Sequence, residues 1–137
     1  MNDRVRDAMI PDPQTLEAGA TAQEAGQHLV SPDVRSVYVS EDGRFVGVVT
    51  RKTLVREVVA AGRDPGETEI GQIAEPAHWT IDPDLPLDEA FRFLEEHDAE
   101  RVPVLEGGRL VGVLSRSALQ RRLAEDEPPP ELDVLDL

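Results

Sequence analysis

The chain has no cysteine, which excludes disulfides, thiolate nucleophiles and cysteine-ligated metals. It has little positive charge. Of its 14 basic residues only Lys52 is lysine, and 28 acidic residues bring the formal charge to -14. A surface of that sign opposes attraction to nucleic acid or to anionic lipid, so neither is expected as a partner. Aromatic residues are scarce at 4%. No apolar run approaches the roughly 20 residues of a membrane span. The opening Met1-Asn2-Asp3-Arg4-Val5-Arg6-Asp7 is charged and lacks the apolar stretch of a secretory signal, which with the missing cysteine points to the cytoplasm.

Catalytic patterns are missing as well. There is no His-Glu-x-x-His, no Gly-x-Ser-x-Gly and no Walker phosphate loop, and His28, His78 and His97 show no metal-ligand spacing. The expectation is a protein that is not an enzyme and has no metal site.

What the sequence does have is an internal repeat. Residues 5–60 align with residues 70–125 at a constant offset of 65 without a gap, and 17 of the 56 pairs are identical. Ordinary residue frequencies would give about 4. The identities include Pro11/Pro76, Thr15/Thr80, Leu29/Leu94 and the run from Gly43-Arg44/Gly108-Arg109 to Arg51/Arg116. Each copy is near the size at which a lone core is marginal, so the two should bury apolar faces against one another.

Each copy reads as strand, helix, strand, strand, helix. Gln14-Thr15-Leu16 and Trp79-Thr80-Ile81 are extended segments. Thr21-Ala22-Gln23-Glu24 has the form of a capping box before a helix, and Pro86 opens the matching helix. Ser36-Val37-Tyr38-Val39 and Arg101 to Leu105 read as strands, with Pro103 suggesting an edge. Asp42-Gly43 and Gly107-Gly108 supply positive φ for tight hairpins. They lead into Phe45 to Val49 and Leu110 to Leu114, which are apolar on both faces and expected to be central. The last helices are Arg51 to Ala61, with Leu54, Val55, Val58 and Val59 inward, and Arg116 to Ala124. The expected division is repeat 1 over 1–62, a polar linker over 63–69, repeat 2 over 70–125, and an acidic, proline-rich tail over 126–137 read as disordered.

Three ordered segments, Met9-Ile10-Pro11-Asp12-Pro13-Gln14-Thr15-Leu16, Ser36-Val37-Tyr38-Val39 and Gly47-Val48-Val49-Thr50-Arg51-Lys52-Thr53-Leu54, resemble the successive signatures of a cystathionine β-synthase (CBS) domain. Ala74-Glu75-Pro76, Arg101 to Leu105 and Gly112 to Leu119 repeat them. The resemblance covers about residues 3–125 and implies a tandem CBS pair, or Bateman module. The fold it implies is α+β: two pseudo-symmetric βαββα units packed through their sheets, often doubled into a homodimer. It also implies a regulatory module, with crevices between the repeats that bind AMP, ADP, ATP or S-adenosylmethionine and act on a protein partner.

The candidate ligand-binding residues follow from strand-to-helix junctions and from that resemblance. Thr50 and Ser115 stand where a hydroxyl caps a helix or meets an anion at the helix end. Arg51, Lys52 and Arg116 set cations beside them, and Thr15 and Thr80 lie on the strands that border the crevice in the family. Family nucleotide sites usually carry an aspartate three residues after the Thr or Ser, where it accepts both ribose hydroxyls. Here those positions are Thr53 and Ala118. A hydroxyl is a weaker acceptor and a methyl is none, so ribose recognition is in question at both sites. Two functions therefore stand: a sensor of an adenine nucleotide or related anionic metabolite, and a ligand-independent dimerisation or adaptor module. Trp79 has two readings, a platform for a base and a packing anchor.

Overall fold

The computed structural model describes residues 3–126. The elements in chain order are α1 (Val5–Ala8), β1 (Ile10–Pro11), β2 (Thr15–Glu17), α2 (Ala22–Leu29), β3 (Val37–Glu41), β4 (Arg44–Val49), α3 (Arg51–Leu54, continuing as a π-helix over Val55–Val59), a 3-10 turn (Ile70–Gln72), α4 (Leu87–Glu96), β5 (Arg101–Glu106), β6 (Arg109–Ser115) and α5 (Arg116–Asp126). The fold is α+β, with two three-stranded sheets ordered β2-β3-β4 and β1-β6-β5.

Local chemistry explains most of the elements. Thr21 Oγ1 accepts the Glu24 N–H at 3.1 Å while Glu24 returns a carboxylate to the Thr21 N–H, so α2 begins on the expected capping box. Asp42 and Gly43 both have positive φ, as do Gly107 and Gly108, which turns each hairpin in two residues. The hairpins also interlock. The Arg109 side chain covers Gly43, the Arg44 side chain covers Gly108, and the Phe45 N–H donates to the Gly108 carbonyl at 2.9 Å.

The leading segment of each copy packs on the other copy. Val5 is fully buried in the core built from α4, β5, β6 and α5, whereas Ile70 and Ile73 are buried in the core of α2, β3 and β4. The hydrogen bonds obey the 65-residue offset. Val5 N–H donates to Leu85 O at 2.9 Å and Ile70 N–H to Ala20 O at 2.8 Å; Arg6 N–H meets Pro83 O and Gly71 N–H meets Ala18 O, both at 2.9 Å. Likewise β1 pairs with β6, and Glu75 bridges Val48 on the edge of β4. The two halves are clasped by this exchange, and each buried Val or Ile in it contributes about 1.5–3 kcal/mol.

Three sequence expectations are corrected. Trp79-Thr80-Ile81 forms no strand, and only Ile81 bridges Val104. In the first copy the Tyr38 N–H donates to Gln14 O at 3.0 Å, but Pro103 stands at that position in the second copy and has no N–H to give. β4 is not central: it lies at the end of its sheet with Val46 42% exposed, whereas β6 is central in its own. Finally, Val55 and Val59 point outward. The Ala60 N–H reaches Val55 O at 2.8 Å and the Arg63 N–H reaches Val58 O at 2.9 Å, five residues back in each case. This wider turn shifts the helical phase, leaving Val58 buried and Val55 and Val59 exposed.

The expected tail lies outside the described residues from 127 onward, and Asp126 ends α5. No helix among the described residues is long and apolar enough to cross a membrane.

Candidate ligand-binding crevice

Where β4 ends, Thr50 leaves the sheet in an extended conformation and caps α3. Its Oγ1 accepts the Thr53 N–H at 3.2 Å, and Thr53 Oγ1 accepts the Thr50 N–H at 3.0 Å. The two hydroxyls are 3.0 Å apart. Thr53, fully buried, donates its proton to Glu75 Oε1 at 3.0 Å, so the Thr50 hydroxyl is the donor to Thr53. Arg56 also bonds Glu75 Oε1. The capping role of Thr50 is thereby filled from within the chain.

Glu75 arrives on a fixed backbone. The Val48 N–H donates to Glu75 O at 2.8 Å and the Glu75 N–H to Val48 O at 2.9 Å. This approach requires Gly47, because a Cβ there would come 2.7 Å from Glu75 O.

Between the two sheets these residues wall a cavity of about 430 Å³. Thr50, Thr53 and Glu75 line it together with Arg101 and Pro103 of β5 and with Trp79 and His97. Trp79 stacks on His97 with ring centroids 4.1 Å apart, meets Phe93 edge-on at 5.7 Å, and stays 41% exposed. It is thus a packing anchor that also presents ring surface to the cavity. The Arg101 guanidinium makes no ion pair among the described residues, although it sits beside buried Tyr38. Burial raises the Tyr38 pKa, opposed by Arg101 and a hydrogen bond with Ser36. An exposed cation without an ion pair, lining a concave and partly apolar site, favours an anionic group on a ligand.

The offset generates a twin crevice, lined by Ile10, Gln14, Asp33 and Val113 where the first has Glu75, Trp79, Asp98 and Val48. It measures about 200 Å³. Ser115 is buried, accepts the Ala118 N–H at 3.3 Å and lies 3.2 Å from the Ser117 hydroxyl, so it too serves as a cap. Glu100 accepts the Ser117 hydroxyl at 2.9 Å and its N–H at 3.3 Å. That hydroxyl bond, ahead of the backbone bond, Arg116 and Arg101, and against the cost of burial, lowers the Glu100 pKa.

Of the residues expected from sequence, only Thr50 and Thr53 line the larger cavity. Arg51 donates to Ser31 O and Val34 O at 2.8 and 2.9 Å, and so braces the turn after α2. Lys52 is exposed outside the cavity lining. Thr15 gives its hydroxyl to Pro13 O at 2.9 Å, and Thr80 is exposed beyond the lining. Arg116 pairs with Asp98 at 3.3 Å and Glu100 at 3.5 Å. Ser115 and Arg116 line neither crevice. Glu75 and Arg101 were missed as site residues. Each belongs to a repeated signature segment, which was the available signal. Among the described residues no group of three or more His, Asp or Glu side chains is placed to hold a metal ion.

The sequence profile of the CBS domain matches residues 5–60 and 70–125. Hypoxic response protein 1 of Mycobacterium tuberculosis is 29% identical over 121 residues, covering 88% of this chain and 85% of its own. The crystal structure of that protein, with two coordinated zinc ions, aligns at a TM-score of 0.73 and 28% identity over 87% of this chain and 98% of its own. The structure of CBSX2 in complex with AMP shares the fold at a TM-score of 0.72 and 23% identity, over 90% of this chain and 97% of its own.

Proposed function

Because the chain belongs to the CBS domain family, we propose that it is a non-catalytic regulatory module that binds an adenine nucleotide or related anionic metabolite in the larger crevice. Occupancy would change the packing of the repeats or of a dimer, and that packing would be read by a protein partner. Tandem CBS modules are in general regulatory and nucleotide-sensing, which supports the class. The ligand is argued from this chain's own residues. AMP is a property of CBSX2, a likeness in fold alone.

The observation that carries the reading is Arg101, a guanidinium without an ion pair among the described residues, in a cavity of about 430 Å³ also lined by the partly exposed ring of Trp79. A phosphate on the first and a purine on the second would use both. The twin crevice has less than half the volume and Gln14 in place of the indole, so the reading assigns one ligand per chain. A ligand in this crevice would touch Thr50 from one core and Arg101 from the other, and so would favour one arrangement of the halves. Calorimetric titration of AMP and adenosine into the wild type and Arg101→Gln tests it. A tenfold or larger loss confined to AMP is expected; equal affinities in both proteins would refute the phosphate role.

One observation favours an adaptor as the second reading. Val30, Val55 and Val59 are 80%, 59% and 73% exposed, and Val30 and Val59 flank an apolar groove of about 340 Å³ between α2 and the π-helix. A second copy of the chain covering it would give a homodimer whether or not a ligand binds. The setting we propose for either function is the cytoplasm.

A further inference from the structure

We propose that Glu75 is the acceptor for a ligand's paired hydroxyls in the larger crevice, supplying from the second copy the carboxylate that position 53 lacks. The proposal rests on the nucleotide reading above. A carboxylate oxygen carries two lone pairs, so one free carboxylate oxygen can accept from two neighbouring sugar hydroxyls, and the crevice is lined by two carboxylates, Glu75 and Asp98. Asp98 is paired with Arg116, and its side chain is 93% exposed. Glu75 is held on both sides of its chain: its backbone pairs with Val48, and its Oε1 takes the protons of Thr53 and Arg56. Its Oε2 enters no hydrogen bond among the described residues.

Thr53 gains a purpose from this arrangement. Its hydroxyl lies 3.0 Å from the Glu75 carboxylate, so an aspartate in its place would set two carboxylates against each other in a partly buried site. Threonine instead donates to Glu75 and orients it. The substitution that weakens ribose recognition on the sequence alone is thus matched by a carboxylate one hydrogen bond away. The twin crevice has neither half of the device, because Ile10 stands at the place of Glu75 and Ala118 at that of Thr53. The paired Glu75 and Thr53 device is therefore confined to one crevice.

The experiment is calorimetric titration of AMP and 2′,3′-dideoxyadenosine monophosphate into the full chain. The wild type should bind AMP about 10- to 100-fold more tightly than the dideoxy compound. Glu75→Gln should lose that preference while keeping the dideoxy affinity, and the double variant Thr53→Asp with Glu75→Gln should regain it. A wild type that binds both compounds equally overturns the role of Glu75 and leaves the nucleotide reading intact. The role of Glu75 is equally overturned if Glu75→Gln weakens both compounds alike or leaves both affinities unchanged. A wild type that binds neither compound overturns both proposals. Should Glu75→Gln not fold, Glu75→Asp takes its place: it keeps the charge but shortens the reach, so it should reduce the preference for AMP, and a preference equal to that of the wild type overturns the role of Glu75.

Discussion

The carbonyl of Glu75 lies so close over Gly47 that a Cβ on the glycine would come within 2.7 Å of it. This contact joins the leading segment of the second copy to the sheet of the first, and it holds the crevice wall in place. Gly47→Ala is expected to push residues 74–76 off β4, costing about 1–3 kcal/mol. Urea unfolding measures the loss. Gly19→Ala is the control, since nothing lies within 4 Å of a Cβ there. Equal effects of the two substitutions would show that the close approach is unimportant.

Acid should act through Glu100. Its pKa is lowered in the folded protein, first by the Ser117 hydroxyl, so the unfolded chain binds its proton more readily. Its ionised form therefore stabilises the fold above the ordinary glutamate range, and that contribution disappears as pH falls through the lowered value. The carboxylate is 46% exposed, so the effect is small. Glu100→Gln should flatten part of the stability loss between neutral and acid pH in urea titrations. A variant with the same pH dependence as the wild type would count against the Ser117 bond.

The outward valines give a prediction about assembly. Val59→Asp puts a charge on the apolar face beside Val30, which should convert a dimer to a monomer in sedimentation equilibrium. Chain stability at low protein concentration should change little, because the side chain is already exposed. An unaltered mass, or a wild type that is already monomeric, contradicts pairing through this face.

Features set by adjacent residues were legible in the sequence. The capping box at Thr21 and Glu24 and the hairpin glycines depend on residues at most three apart, and they stand where the pattern placed them. The α+β fold followed from the repeat and its resemblance to a CBS pair. The exchange of leading segments was not legible, because two similar copies offer similar docking surfaces and the offset does not say which is used. Glu75 was missed for that reason, since it meets Thr53 only after the exchange. The outward turn of Val55 and Val59 was hidden because a 3.6-residue period assumes hydrogen bonds four residues back, and this segment makes them five back. Arg51 was read as a cation for a ligand, but the carbonyls of Ser31 and Val34 claim it once α2 and α3 are packed.

Thermal unfolding of the full chain with AMP, ADP, ATP, S-adenosylmethionine and NAD tests the central claim most directly. A nucleotide held in the crevice at 100 times its dissociation constant should add about 2.7 kcal/mol and raise the transition accordingly. The account predicts that rise with at least one of the five, at one ligand per chain. An unmoved transition with all of them, in a chain that nonetheless forms a stable dimer, would contradict it and leave the adaptor in its place.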